Sequence, residues 1–205
     1  MTPLFDEIKE KVRSLQSEKR FRHTLAVVRE AEYIASACAF TNAEAEKARL
    51  AALLHDITKC FSDGEQAEMA EKYGITEPYE APTVHEKTGA HFARELFGTG
   101  VVDEEIFSAI YCHTTGKIGM SALDMAVFIA DYTEETREHA ACRETRAYLH
   151  AECEKLNGER EKAEVLLRDV MIKIIANTLS FLTLKKRKID LATVEAWNFL
   201  AEQGV

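Results

Sequence analysis

Four histidines and two aspartates carry the chemistry available to this chain. His23, His55, Asp56, His85, His113 and Asp131 are polar residues set where apolar ones are expected. Projected at about 100° per residue on a helix, His23 shares a stripe with Val27, Ala31, Ile34 and Cys38. His85 aligns with Gly89, Phe92 and Leu96, and His113 with Ile106, Ala109 and Ile110. Asp131 follows Val127 and Phe128 inside the apolar run Met125–Ala130, and His55-Asp56 closes the run Leu50–Leu54. A carboxylate in an apolar core is costly unless it is paired or binds a cation. One such histidine is ordinarily a hydrogen-bonded core residue. Six polar residues on five helices call for a common cause.

Their spacing supplies one. Successive histidines are 32, 30 and 28 residues apart, and Asp131 follows 18 after the last. About thirty residues is one helix–turn–helix unit, so each ligand can return to the same level of a bundle. Imidazoles and carboxylates converging from several helices suit a divalent transition metal. Adjacent His55 and Asp56 diverge by about 100° and can grip one ion, or two adjacent ions, from two sides. Six ligands exceed the four of a structural zinc and suffice for a dinuclear site with open water positions. His91, His139 and His150 lie off these stripes or in polar segments and are expected at the surface, as is the charged pair Glu134-Glu135.

The elements that must position these residues read as helices almost throughout, giving an all-α fold. Helices are expected at about 4–15, 18–39, 42–56, 63–73, 84–97, 104–113, 122–132, 137–155, 160–184 and 191–201. Thr41…Glu44, Ser62…Glu65 and Thr83…Glu86 have the spacing of capping boxes, Ser121…Asp124 marks a similar start, and Asp103 and Asp190 are further caps. Sustained alternation, repeats and low-complexity tracts are absent from the sequence. The 205 residues suit one domain, with the part after about 150 as a helical extension packed on the rest.

Composition narrows the function classes. The net charge of -9 argues against a nucleic-acid partner. Lys185-Lys186-Arg187-Lys188 is read as a solvated turn at a helix C-terminus. Five cysteines without a CxxC pair suggest free thiols in a reducing cytoplasm. No run is long enough to span a membrane, and the first residues do not read as a signal peptide. Nucleophile elbows, P-loops and GxGxxG are also absent. Apolar helices near the C-terminus leave internal packing and a homodimer both open.

His23, His55-Asp56 and Asp131 follow the H…HD…D pattern of the HD-domain metal-dependent phosphohydrolases. The surrounding segments Arg22-His23-Thr24-Leu25, Ala51 to Lys59, Tyr111-Cys112-His113-Thr114-Thr115-Gly116 and Phe128 to Tyr132 resemble the YqeK family. Asn177-Thr178-Leu179 and the stretch Ala196 to Leu200 resemble that family's end, so the similarity covers nearly the whole chain. It implies an all-α HD fold, two divalent metal ions (iron by resemblance; Mn, Co or Zn by donor type) and symmetrical hydrolysis of diadenosine tetraphosphate to two ADP. Carried over by position, His23, His55, Asp56, His85, His113 and Asp131 are the ligands. The chain departs from the family after Tyr132. An Ile-Glu-Pro-Gly-Arg-like stretch is replaced by Thr133-Glu134-Glu135-Thr136-Arg137. Loss of Pro and Gly predicts a continued helix, which would displace Arg137.

The expected mechanism places Asp56 as a carboxylate bridging two metals that share a hydroxide. His23, His55 and Asp131 would complete one site, His85 and His113 the other. Metal coordination lowers the pKa of water from 15.7 to about 7, which provides a nucleophile at neutral pH. Lys59 closes an HD-x-x-K string and is expected to neutralise phosphate charge. Thr114, Thr115 and Gly116, with Arg22 and Arg137, are the further substrate-binding candidates. The rival readings are another HD nucleotide phosphohydrolase, either a 5'-nucleotidase or a guanosine-tetraphosphate hydrolase, and a non-catalytic metal- or nucleotide-binding module.

Overall fold

Helix starts in the computed structural model are set by their caps. The structure describes residues 3–76, 80 and 82–203. Among these lie ten α-helices and no strand: α1 Pro3–Leu15, α2 Glu18–Ala37, α3 Asn42–Leu54, α4 Asp63–Lys72, α5 Val84–Phe97, α6 Glu104–Tyr111, α7 Ala122–Thr133, α8 Ala140–Cys153, α9 Arg160–Leu184 and α10 Leu191–Gln203. Complete capping boxes open α3 at Thr41, α4 at Ser62 and α7 at Ser121. The Asp103 carboxylate accepts from the amides of Glu105 and Ile106 at the start of α6. Thr83 departs from its expected capping box. Its hydroxyl donates to the Glu80 carbonyl and to Asp190 Oδ2, while Glu86 is drawn into the interior.

Four helices, α2, α3, α6 and α8, stop two residues short of their expected ends, α8 closing at Cys153. α2 closes at Ala37 because Ala39 turns into the left-handed region at φ 55°. α3 ends at Leu54, so His55 and Asp56 sit in the tight turns that follow rather than inside a helix. α6 ends at Tyr111, two residues before His113. The chain after Asp131 also differs from expectation. α7 ends at Thr133, residues 134–139 form a non-helical turn, and α8 begins only at Ala140.

Packing brings these ends together. α2 lies against α3 and α7, and α6 bridges α3, α5 and α7. α9 packs on α7 and α8, and α10 on α9. A continuous apolar core runs from Phe5 to Leu200, so the C-terminal helices share it with those that carry the candidate residues. Leu53, Ile110, Ile129 and Ile174 are fully buried within it. α5 approaches the His55–Thr58 turn closely because residue 89 is glycine. A Cβ there would stand 3.3 Å from Thr58 Oγ1 and 3.6 Å from the His55 carbonyl oxygen.

An ion pair ties the C-terminal helices to α3. Arg160 on α9 donates from both terminal nitrogens to Glu44, at 3.0 and 2.8 Å. This guanidinium, with the Thr41 cap amide, holds the Glu44 carboxyl down to about 2. A carboxyl depressed in the fold stabilises it above the unfolded-state value of about 4.5 and loses that contribution as pH falls towards 2. The stability difference between wild type and Arg160→Ala should therefore shrink on acidification, read by thermal unfolding at several pH values; a constant gap contradicts the pairing. Leu53→Ala should cost about 2–5 kcal/mol in denaturant unfolding, the range for an emptied core leucine.

Candidate metal centre

Six side chains from five parts of the bundle, Asp56 at their centre, converge in one cluster. His23 comes from the second turn of α2, His55 and Asp56 from the turn after α3, and His85 from the first turn of α5. His113 comes from the turn after α6, and Asp131 from the last turns of α7. The two oxygens of Asp56 face opposite ways. Oδ2 lies 3.2 Å from His55 Nε2 and 3.7 Å from His23 Nε2. Oδ1 lies 3.2 Å from His85 Nε2 and 3.7 Å from His113 Nε2. Asp131 Oδ1 closes the first side, 3.0 Å from His23 Nε2 and 3.8 Å from His55 Nε2. Two metal-competent trios result, His23–His55–Asp56 and Asp56–His85–His113, each with its ligand atoms within 4.8 Å of one another.

Each imidazole is aimed inward by an acceptor on its other nitrogen. Nδ1 of His55 is 2.7 Å from the Ala52 carbonyl and Nδ1 of His113 is 2.7 Å from that of Ile110. Nδ1 of His85 is 3.0 Å from the Pro82 carbonyl, and Nδ1 of His23 is 3.1 Å from Glu134 Oε1. Such outer partners fix the tautomer that leaves Nε2 free to ligate. The Nε2 atoms of His23 and His55 are buried without a hydrogen-bond partner. Two orphaned acceptors aimed at paired carboxylates fit a cation, and the donor set suits a divalent transition metal.

The electrostatics agree with that fit. Burial works against ionising Asp56, yet His55, His113 and His85 outweigh it and hold the carboxyl well below its ordinary range. Asp131 is likewise held well below that range, against burial, by Arg137 and by His23 and His55. Burial pushes His85 down to about 4, against the pull of Asp56, so it is neutral at pH 7 in the form that ligates metal.

Cations surround the open side. Arg20 donates to Asp56 Oδ2 at 2.7 Å. Arg137 donates to the Asp131 carbonyl at 2.9 Å and to its Oδ1 at 2.6 Å. The non-helical turn after α7 thus keeps Arg137 at the cluster, contrary to the displacement expected from the missing Pro and Gly. Lys59 Nζ donates to the Pro82 carbonyl at 3.2 Å and lies 3.1 Å from His85 Nδ1. Lys59, Arg20, His23 and Arg137 line a cleft of about 460 Å³.

Other expectations change. Arg22 lies on the exposed face of α2, and the guanidinium of α2 that reaches the cluster belongs to Arg20, two residues earlier. Thr115 is engaged by Glu86, which accepts from its amide and hydroxyl and from the Thr114 amide. Gly116 adopts φ 73° and packs on α10, where an added Cβ would meet Ala196 Cβ at 3.2 Å. Thr115 and Gly116 therefore shape the loop, and of this segment Thr114 has its hydroxyl beside the cluster, 3.3 Å from His85 Nε2. Glu134 is buried rather than solvated, because the chain turns back at Thr133 and presents it to His23. His139 is exposed as expected. His91 is half-buried and stacked on Tyr73, and His150 is bonded to Glu30 at 2.9 Å.

Helical phase marks one of these residues in the sequence. Arg20 precedes His23 by three residues and so shares its helix face. Gln16, whose amide donates to the Asp56 carbonyl at 3.0 Å, and Glu86, which neighbours His85, carry no pattern that marks them.

A bundle that gathers an HD pair with further histidines and an aspartate defines a class. Residues 20–136 match the HD domain family model, and the chain belongs to that family of metal-dependent phosphohydrolases. It is 30% identical to a symmetrical bis(5'-nucleosyl)-tetraphosphatase of Halalkalibacterium halodurans over 90% of each chain. It is 28% identical to a protein of the same description from Bacillus subtilis, over 92% of this chain and 93% of the other. A crystal structure from Clostridium acetobutylicum, described as a predicted HD superfamily hydrolase involved in NAD metabolism, superposes with a TM-score of 0.80 over 97% of each chain at 27% identity.

Asp56→Asn should weaken metal retention at both trios, whereas His113→Ala should weaken it at one, measured by metal analysis after dialysis. Glu134→Gln should lower metal affinity about 10–100-fold, the usual effect of losing an outer partner of a ligand histidine. Retention unchanged in Asp56→Asn would contradict the shared-carboxylate arrangement.

Proposed function

We propose that this chain is a symmetrical dinucleoside tetraphosphatase that hydrolyses diadenosine tetraphosphate to two ADP. The observation that carries the reading is the Asp56 carboxylate set between two pairs of imidazoles at one edge of a cationic cleft. Relatives that match over nine-tenths of their length and are described by this activity support it. His23, His55, Asp56 and Asp131 would hold one divalent ion, and Asp56, His85 and His113 a second. Such ions act as Lewis acids and make water nucleophilic near neutral pH. Iron is assigned on family resemblance, since the donors suit Mn, Co and Zn equally.

The chain's own residues then bind and orient a polyphosphate. Arg20, Lys59 and Arg137 form an arc of positive charge that a tetraphosphate can span, with guanidinium forks suited to paired phosphate oxygens. The Thr114 hydroxyl can donate to a phosphate oxygen beside His85. Water addition between the second and third phosphates yields two identical diphosphates, so products alone distinguish this activity. All five cysteines are free thiols, in keeping with a reducing cytoplasm. Among the described residues no helix is long and apolar enough to cross a membrane.

Metal-loaded protein given diadenosine tetraphosphate should release ADP as the sole nucleotide product, followed by chromatography. ATP with AMP would mean asymmetric cleavage, and no turnover with metal bound would reject the reading. Asp56→Ala should abolish hydrolysis, and Lys59→Ala should lower kcat by roughly 10²-fold, the scale of one lost transition-state partner.

A further inference from the structure

We propose that a second cavity, beyond Thr114 from the cationic cleft, receives one nucleoside end of the dinucleotide. It has a volume of about 390 Å³ and lies between the start of α5, Thr114 and the turn joining α9 to α10. This inference rests on the tetraphosphatase reading.

Position is the first support. Thr114 lines the cavity and holds its hydroxyl 3.3 Å from His85 Nε2, so one residue borders both the cavity and the metal cluster. Pro82 also lines it, and its carbonyl accepts from Lys59. The cationic cleft opens on the His23 side of the cluster and this cavity on the His85 side. A substrate cut at its centre into two equal halves needs a place for each half on either side of the reacting phosphates.

Chemistry is the second. The walls combine apolar surface from Leu182, Pro82 and the threonine methyls of Thr83, Thr178 and Thr193 with two carboxylates, Glu80 and Asp190. That mix of apolar surface with a few polar groups is what a base and ribose bury well, and the volume falls in the usual range for a small-molecule site. Arg187 and Lys188 are exposed and also line the cavity, Lys188 being paired with Glu80 at 3.6 Å. Arg187 makes no ion pair or side-chain hydrogen bond among the described residues, and it can meet the phosphate next to the nucleoside. The turn is built to bring it there, since Lys186 takes a left-handed conformation at φ 53° and the Arg187 amide closes onto the Leu182 carbonyl at 2.9 Å. Asp190 firms the wall by accepting from Thr83 at 2.9 Å and from the Ala192 amide. Arg187, part of a basic run that reads from sequence as a solvated turn, thus acquires a ligand of definite chemistry.

The test compares kcat/KM for diadenosine tetraphosphate with that for adenosine 5'-tetraphosphate, which has one nucleoside, in metal-loaded protein. Wild type should favour the dinucleotide. Thr178→Trp fills the cavity, and Arg187→Glu reverses the rim charge at an exposed position that does not touch the core. Each should lower the preference roughly tenfold, chiefly through KM for the dinucleotide. A preference unchanged in folded Arg187→Glu and Thr178→Trp, with wild-type turnover intact, overturns the subsite and leaves the activity standing. Absence of dinucleotide turnover by wild type overturns the activity, and the subsite with it.

Discussion

A single buried carboxylate organises this molecule. Asp56 presents one oxygen to His23 and His55 and the other to His85 and His113. An anion removed from water is tolerable only where positive charge and hydrogen bonds surround it. Four helices and the turns at their ends are therefore arranged to converge on it. Arg20 approaches the same carboxylate from the open side, so the positive charge of the cleft and the histidine cluster meet at one group.

The imidazoles are aimed by local means. In His55, His85 and His113 the outward nitrogen meets a carbonyl three residues earlier, a contact that the backbone supplies wherever a helix starts or ends. His23 sits inside α2, where all carbonyls are engaged in the helix, and needs Glu134 from a distant turn instead. This difference explains why the turn after α7 matters: it delivers both Glu134 to His23 and Arg137 to Asp131. A helix continued through those residues would carry both away.

The all-α class, most helix starts and the six convergent residues were legible from sequence because each leaves a periodic or capping signal. Asp131 and His23 announce themselves as polar residues on apolar stripes. What could not be read depends on where helices stop. The expected ends of α2, α3 and α6 ran two residues too far, since nothing local at Leu54 or Tyr111 marks the break. The charged neighbours of Glu134 suggest a solvated side chain, although the reversal at Thr133 buries it. Arg22 and Arg20 were separable only by helical phase. Thr115 and Gly116 follow His113 closely, yet their partners, Glu86 and Ala196, lie 29 and 80 residues away in the chain.

The contact between Gly116 and Ala196 bears on what can be cut from this protein. The family match stops at residue 136, and all six convergent residues precede that point. The loop that carries His113 nevertheless rests on α10, and Glu44 at the head of α3 is gripped by Arg160 on α9. A fragment trimmed to the matched region would keep every convergent side chain and lose the surface that one of their loops leans on. The recognisable motif thus ends well before the packing that supports it, and the C-terminal helices form the abutment on which the His113 loop and the head of α3 rest.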